Sequence, residues 1–539
     1  MNFLRFIHTV RSFQPDQIRQ KVVYSLAKSK AATSLKRFTP CPTADIRALH
    51  PTVLVPICKT YDKGQFRFLN SPMTFDGMPH WNEMNHGKLW NIRLNSFEFL
   101  LQKDLSQEDG ICLMKDFVKH SAGNRTLYDA YSVSQRIFNW TSFFSTHSVS
   151  EQELLDFIYK QAQYLVANPE YHLRNNHLLE NGFALLKAGL FFQDDRCIRV
   201  GEKILSVELE KQVLYDGAHF ELSPMYHCVI LRRTLESLDF LRQHPEATND
   251  KFFEFLKSKA SVMCGWLRNI AFDNGELPQI NDSGDEMRNW ISLFQYAQCL
   301  GVVCKPKQLG PSGLKKFRNR HFEMLVDMNG LTPAVAPGHS HADTFHFLLH
   351  VFGSPFIIDT GVSTYTSGID RTYERSTQAH NTVVVANKDQ SEVYGSFRVG
   401  RKASVFNLKE SRNEVSASHN GYKILGAVHH RTFSFGEQEI VIKDIINPGA
   451  GLPASAFFHV HKNSMLRLKD GKLFSKFVEI GFEGAASIQL SDTWTSPSFG
   501  VKLPAWKVRV DFSGELTTRI QLPSSFSESN KRHNPAFYA

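Results

Sequence analysis

From about Leu94 to Cys304 apolar residues recur at spacings of three and four, the pattern of helices with one buried face. "SEQELLDFIYKQAQYLV" (Ser150–Val166) shows it plainly, with Ser150 placed to cap the first turn. "NNHLLENGFALLKAGLFF" (Asn175–Phe192) repeats it, with asparagine at its start and Gly189 near its end. "SPMYHCVILRRTLESLDFLRQH" opens on Ser223-Pro224, a cap followed by a first-turn proline. "DKFFEFLKSKASVMCGWLRNIAF" follows. Such a series packs naturally as antiparallel helical hairpins. Glycine and proline then punctuate "KPKQLGPSGLKKF" (Lys305–Phe317), and the character changes. "FHFLLHVF", "NTVVVA", "RTFSFG", "EIVIKDII", "SAFFHVH", "WKVRVDF" and "LTTRIQL" are short and rich in β-branched and aromatic residues. Many alternate apolar with polar, which predicts an antiparallel β-sandwich. The fold expected is therefore α+β and multidomain: a segment 1–90 packing on the helices, a helical domain 91–315 and a β domain 316–539.

Composition narrows the partners. A chain of 539 residues is too long for one core, and 42% hydrophobic with 21% charged residues excludes a disordered chain. A net charge of +9 permits an anionic partner. The charge is spread out, the densest run being the mixed "KSKAATSLKRF" (Lys28–Phe38). With no phosphate-binding glycine loop, zinc-finger spacing or RNP-like motif, nucleic acid is not an expected partner. Eight cysteines without a C-x-x-C pair read as reduced, mostly buried thiols. No stretch approaches the length of a membrane span. The opening "MNFLRFIHTVRSFQPDQIRQ" is broken by Arg5, His8 and Arg11 and lacks a signal-peptide core. A cytoplasmic location is the expectation.

The residues that packing does not explain lie in four places. "GHSHADTFHF" (Gly338–Phe347) sets His339, His341 and Asp343 two apart, on one face if a strand already begins there. That is raw material for a divalent metal site, the alternative being a solvated strand edge. Asp359 follows an apolar strand and His380 precedes another, so a His/Asp/His set from three segments is available for zinc. Asp359 is otherwise a turn former beside Gly361, and His380 a histidine bonded to backbone. In the helical half, Asn176 and His177 stand four and three residues before Glu180, on one flank of a helix start. "DGAHFELSPMYHCV" gathers His219, Glu221, Tyr226 and His227 around a turn and a new helix.

These segments, together with "RSTQAHNTVVV", "LPQINDSGD" and "HGKLWNIRLNSFEFL", resemble the heparinase II/III family of polysaccharide lyases from about residue 80 to about residue 400. The resemblance implies an incomplete (α/α) toroid joined to an antiparallel β-sandwich, with β-elimination on a uronate-containing anionic polysaccharide between them. By resemblance, Tyr226 and His339 are the proton-transfer residues, and Asn176 or His177 neutralises the uronate carboxylate. Glu180 orients whichever of the two acts. His341, Asp359 and His380 match the ligands of one mainly structural divalent ion, zinc by donor type. His227 is a candidate neighbour of the tyrosine, Asn381 neighbours the site, and Arg371 and Arg375 suit substrate carboxylates or sulfates. Asp343 and His346 are left as supporting residues. Degradative members carry a signal peptide, and the opening here resembles members associated with making bacterial surface polysaccharides. An endogenous capsule, O-antigen or exopolysaccharide is thus as good an expectation as a glycosaminoglycan. A non-catalytic glycan-binding protein and a metal-dependent glycan hydrolase are the alternatives. The oligomeric state is not legible.

Overall fold

The computed structural model describes residues 15–29, 37–41, 46–55, 59–121, 128–284, 289–333, 337–448 and 451–523. The stretch before Pro15, residues 30–36 of the basic run, and Cys58 lie outside them. Helices Gln107–Ser121, Ala130–His147, Gln152–Ala167, Asn176–Phe192, Asp195–Gln212, Pro224–Gln243 and Asp250–Ile270 follow in order, and the short Ser292–Cys299 closes the series. The Asn176–Phe192 helix is apolar nearly all round, and such helices are buried on every side. It lies between Ala130–His147, Asp195–Gln212 and Pro224–Gln243. Asn175 and Ser223 cap as expected, accepting from the backbone N–H of His177 and Tyr226. Ser150 does not cap: that helix begins at Gln152 with Glu151 before it. Nor does Gly189 end its helix. Its missing Cβ makes room for Ile198 Cγ1, which a methyl there would meet at 2.5 Å. Gln193, at φ 53°, takes the left-handed position instead.

The last helix ends at Cys299 and the first long-sheet strand begins at Leu314. From one edge the sheet runs Val405–Glu410, Glu414–His419, Val428–Phe435, Glu439–Asn447, Leu503–Gln521, Pro453–His461, Ser354–Ile357, Phe347–Val351, Phe322–Asp327 and Leu314–Arg318. Neighbours pair antiparallel, and the ladder is one continuous sheet instead of two separately bonded ones. It curls around a core that includes Met324, Phe347, Ile442, Phe458 and Val510. In Val428–Phe435 and Glu439–Asn447 alternate residues are buried, as the period-two reading required.

The first segment does more than pack on the helices. Its small sheet (Tyr61–Asp62, Gln65–Phe68, Ser71–Thr74) leads into helix Lys88–Ser96. Trp81 stacks on Phe97 at 5.0 Å, while Asn70 Nδ2 donates to Phe499 O of the β half at 2.9 Å. Among the described residues no helix is long and apolar enough to cross a membrane. None of the seven described cysteines is in a disulfide, and four of them are buried.

Candidate active site

The site is built where the capped start of the Tyr226 helix meets the loop before strand Phe347–Val351. Ser223 Oγ accepts from Tyr226 N and donates to Asp282 O at 2.7 Å. Asp282 N in turn donates to His339 O at 3.1 Å. One serine therefore ties the helix start to a helical-half loop, and that loop to the histidine block of the β half.

Asp282 is the hub. His339 Nδ1 donates to its Oδ2 and His341 Nε2 to its Oδ1, both at 2.9 Å. Arg371 closes a fork on the same carboxylate, Nη1 to Oδ1 at 2.5 Å and Nη2 to Oδ2 at 2.7 Å. Burial raises the Asp282 carboxyl, but the Arg371 charge and the two imidazole bonds outweigh it, and it stands well below the usual carboxylate range. Two outcomes follow for the block. A neutral His339 holds its proton on Nδ1 and keeps a lone pair on Nε2. His339 and His341 also share one carboxylate without sharing a strand face. The strand begins only at Phe347, so residues 338–346 are irregular and the alternation argument does not apply to them.

Tyr226 and His339 meet ring to ring, centroids 4.2 Å apart. The Tyr226 hydroxyl is 3.2 Å from that of Tyr365, whose ring also carries the Arg371 guanidinium at 4.8 Å. Burial pushes the Tyr226 phenol well above its ordinary value, and the bond to Tyr365 offsets part of that. A tyrosine acting as a base needs a phenol depressed below its ordinary value of about 10. The structure gives the opposite, a phenol that keeps its proton. On the neighbouring helix, His177 packs on Tyr131 at 4.4 Å and its Nδ1 lies 3.4 Å from Glu170 Oε2. Burial lowers His177, yet Glu170 leaves it raised overall. Asn176 is buried, and its Oδ1 has no hydrogen-bond partner among the described residues.

A second cluster lies beyond Asp282. Ligand-type atoms of His346, Asp359 and His380 lie within 4.8 Å of one another. His341, expected in the trio with Asp359 and His380, turns its Nε2 to Asp282, and His346, taken as a supporting residue, stands in the converging group. The hydrogen bonds refine the picture. His346 Nδ1 accepts from Asn381 N at 2.9 Å, so a neutral ring carries its proton on Nε2, 3.2 Å from Asp359 Oδ2. His380 donates Nδ1 to Asp359 Oδ2 at 2.7 Å. The buried nitrogens left without partners and with lone pairs are His341 Nδ1 and His380 Nε2, on rings 5.2 Å apart. Each bonds a carboxylate through its other nitrogen, His341 that of Asp282 and His380 that of Asp359. The donor set fits a divalent cation. Gly361 sets up Asp359: at φ 69° its N–H reaches Asp359 Oδ1 at 2.7 Å, and a Cβ there would sit 1.9 Å from Ser496 O.

Five residues expected at or beside the substrate make internal bonds. His227 spends both nitrogens on backbone, accepting from His219 N and bonding Met263 O, with no exposed surface. Arg371 is consumed by Asp282. Arg375 holds Ser340 O, Gly395 O and Arg398 O, because loop carbonyls outside the strands need donors. Asn381 staples strands through Phe347 O and Ile358 O and accepts from His459 N. Glu180 is likewise buried, its Oε2 accepting from Gln135 and Arg233, while its Oε1 has no hydrogen-bond partner among the described residues. Asp282 and Tyr365 were missed; "INDSGD" reads as a turn and "VSTYTSG" as a loop, neither with periodicity to flag it.

The chain is a helical half joined to a curled antiparallel sheet, with Tyr226 and His339 in contact at their junction. Two family models match, one described as Heparinase II/III N-terminus over residues 112–309 and one as Heparinase II/III-like, C-terminal over residues 305–529. The chain belongs to the heparinase II/III-like family of polysaccharide lyases. It is 26% identical over 294 residues to a heparin-sulfate lyase of Bacteroides stercoris, covering 48% of this chain and 44% of that one. It is 27% identical over 281 residues to one of Bacteroides thetaiotaomicron, covering 44% and 40%. The match thus spans less than half the length of these curated relatives. Among solved structures, heparinase III superposes with a TM-score of 0.67 at 16% identity, over 97% of this chain and 94% of that one. A heparan sulfate lyase mutant from Pedobacter heparinus gives 0.59 at 16%, over 96% and 91%. Both share the fold.

Proposed function

We propose that the protein cleaves a uronate-containing anionic polysaccharide by β-elimination, in a cleft between an incomplete (α/α) toroid and a sandwich-like β domain. The observation that carries this reading is the contact of Tyr226 with His339 across the domain junction, with His339 Nδ1 anchored on Asp282. The C5 proton of a uronate is barely acidic. Hydrogen-bond donors on the carboxylate stabilise the enolate-like intermediate that its removal creates. Asn176 is the favoured donor, with His177 beside it. His339 Nε2 takes the C5 proton, and Tyr226, held as a phenol, protonates the departing glycosidic oxygen. A divalent ion, zinc by donor type, is assigned to His341 Nδ1, His380 Nε2 and the Asp359 carboxylate. When bound it supplies positive charge that organises buried ligands.

Elimination leaves a double bond conjugated with the carboxylate. Incubation with glycosaminoglycans, alginate and bacterial exopolysaccharides is expected to raise ultraviolet absorbance with at least one of them. Inert uronate polymers together with cleavage of a neutral glycan by water would overturn the reading.

A further inference from the structure

We propose that Glu221 binds the substrate's uronate carboxylate as a neutral acid, donating its O–H alongside the Asn176 amide. The proposal deepens the lyase reading and rests on it.

Glu221 precedes the Ser223 cap by two residues and Tyr226 by five. It is 1% exposed, and both carboxyl oxygens lack a hydrogen-bond partner among the described residues. Buried carboxylates are normally paired or surrounded by donors, and this one is neither. His219 Nδ1 lies 3.7 Å from Oε2. That nitrogen's protonation state follows from the bonds behind it. Gln212 Nε2 donates to Glu208 Oε2 and Asn175 O, so Gln212 Oε1 is the acceptor for His219 Nε2–H at 3.0 Å. His219 Nδ1 therefore presents a lone pair to Glu221. A lone pair facing an ionised carboxylate is repulsive, whereas a carboxylic acid fits beside it.

The charged groups around Glu221 agree. His177 on the Asn176 helix and His339 lower it, Asp282 raises it, and burial outweighs the two histidines to leave the carboxyl raised. Glu221 thus sits in the electrostatic reach of both the neutralising helix start and the base. An acid O–H on a carboxylate is a charge-assisted bond, among the strongest available to a side chain. The step balances. The C5 proton passes to His339 Nε2, the C4–O bond breaks, and C4=C5 forms. The leaving oxygen takes the Tyr226 proton, and the Glu221 proton stays shared with the substrate throughout.

The test uses E221Q and E221A in the full chain, on whichever uronate polymer the wild type cleaves, with binding of intact and carboxyl-reduced uronate oligosaccharides measured in a Y226F background. Removing a preorganised donor costs about 10²–10³ in kcat, and E221A is expected to fall in that range. E221Q keeps an N–H donor and is expected within about tenfold of wild type, without the alkaline loss of activity that Glu221 ionisation imposes. In Y226F, adding E221A should weaken the intact oligosaccharide tenfold or more and leave the reduced one unchanged. Equal loss for both ligands, or an E221Q profile with the wild-type alkaline limb, overturns the proposal. If the wild type cleaves no uronate polymer, the lyase reading falls, and the binding comparison still decides whether Glu221 reads a carboxylate.

Discussion

Asp282→Asn probes the hub directly. Four donors converge on the wild-type carboxylate: His339 Nδ1, His341 Nε2 and two Arg371 nitrogens, with both Asp282 and Arg371 fully buried. An amide keeps one oxygen and places an NH2 where the other stood. In either orientation two donors face a donor, and the guanidinium loses its counter-charge. Removing one partner of a buried ion pair costs about 3–5 kcal/mol, a large share of the roughly 5–15 kcal/mol that holds a domain folded. The expected fall in unfolding free energy for Asp282→Asn is therefore about 3–5 kcal/mol, read from guanidinium titrations of tryptophan fluorescence. Combining it with Arg371→Met removes the orphaned cation, so the double variant should recover at least about 2 kcal/mol of that loss. A single variant within about 1 kcal/mol of wild type, or a strictly additive pair, would refute the hub.

Three further outcomes are expected. Tyr226→Phe removes one hydroxyl whose recorded partner is Tyr365, so stability should change by no more than about 1.5 kcal/mol while kcat falls by about 10²–10⁴; near-normal turnover would remove Tyr226 from the chemistry. Elemental analysis of purified protein should find one divalent ion per chain, lost in His341→Ala and His380→Ala but kept in His346→Ala, whose lone pair is spent on Asn381 N; loss in the His346 variant alone would reassign the ligands. Burial holds His219 and His227 neutral and lowers both to about 3. Unfolding raises them to about 6.5, so their stabilisation is complete above that pH and lost as pH falls toward 3, at about 1.4 kcal/mol per unit for each. The guanidinium midpoint should drop between pH 6.5 and 4.5, and a flat midpoint would count against neutral burial.

What could be read in the sequence followed from local rules. The capping roles of Asn175 and Ser223 depend on the next few residues, and the strand alternation of Val428–Phe435 on a single sheet face. Tyr226, His339 and His380 stood out because ionisable groups beside helix starts and strand ends lack a packing reason. The errors share one cause. Whether Arg371 meets solvent or Asp282 is decided by a residue 89 positions away, and no spacing rule reaches that far. His227 shows the same limit from the other side: it lies one residue from Tyr226, yet the turn of the helix sends it into the backbone of Met263. The single continuous ladder also escaped notice, since alternation reports which face is buried and not how strands are joined.

The placement of Asp282 ties the proposed catalytic pair to closure of the two halves. It comes from the helical half, and its backbone oxygen is held by Ser223 at the cap of the Tyr226 helix. Its carboxylate sets the tautomer of His339 and the orientation of His341, both in the β half. Arg371, also in the β half, makes that carboxylate tolerable in a buried place. Separating the halves would leave a carboxylate on one side and a guanidinium and two imidazoles on the other. The closed junction is therefore held by the same bonds that fix the orientation of His339. Below Asp282, His341 carries the constraint on toward His380 and Asp359. "GHSHADTFHF" is thus not a wet strand edge but a loop in which one carboxylate from the other half fixes two histidines.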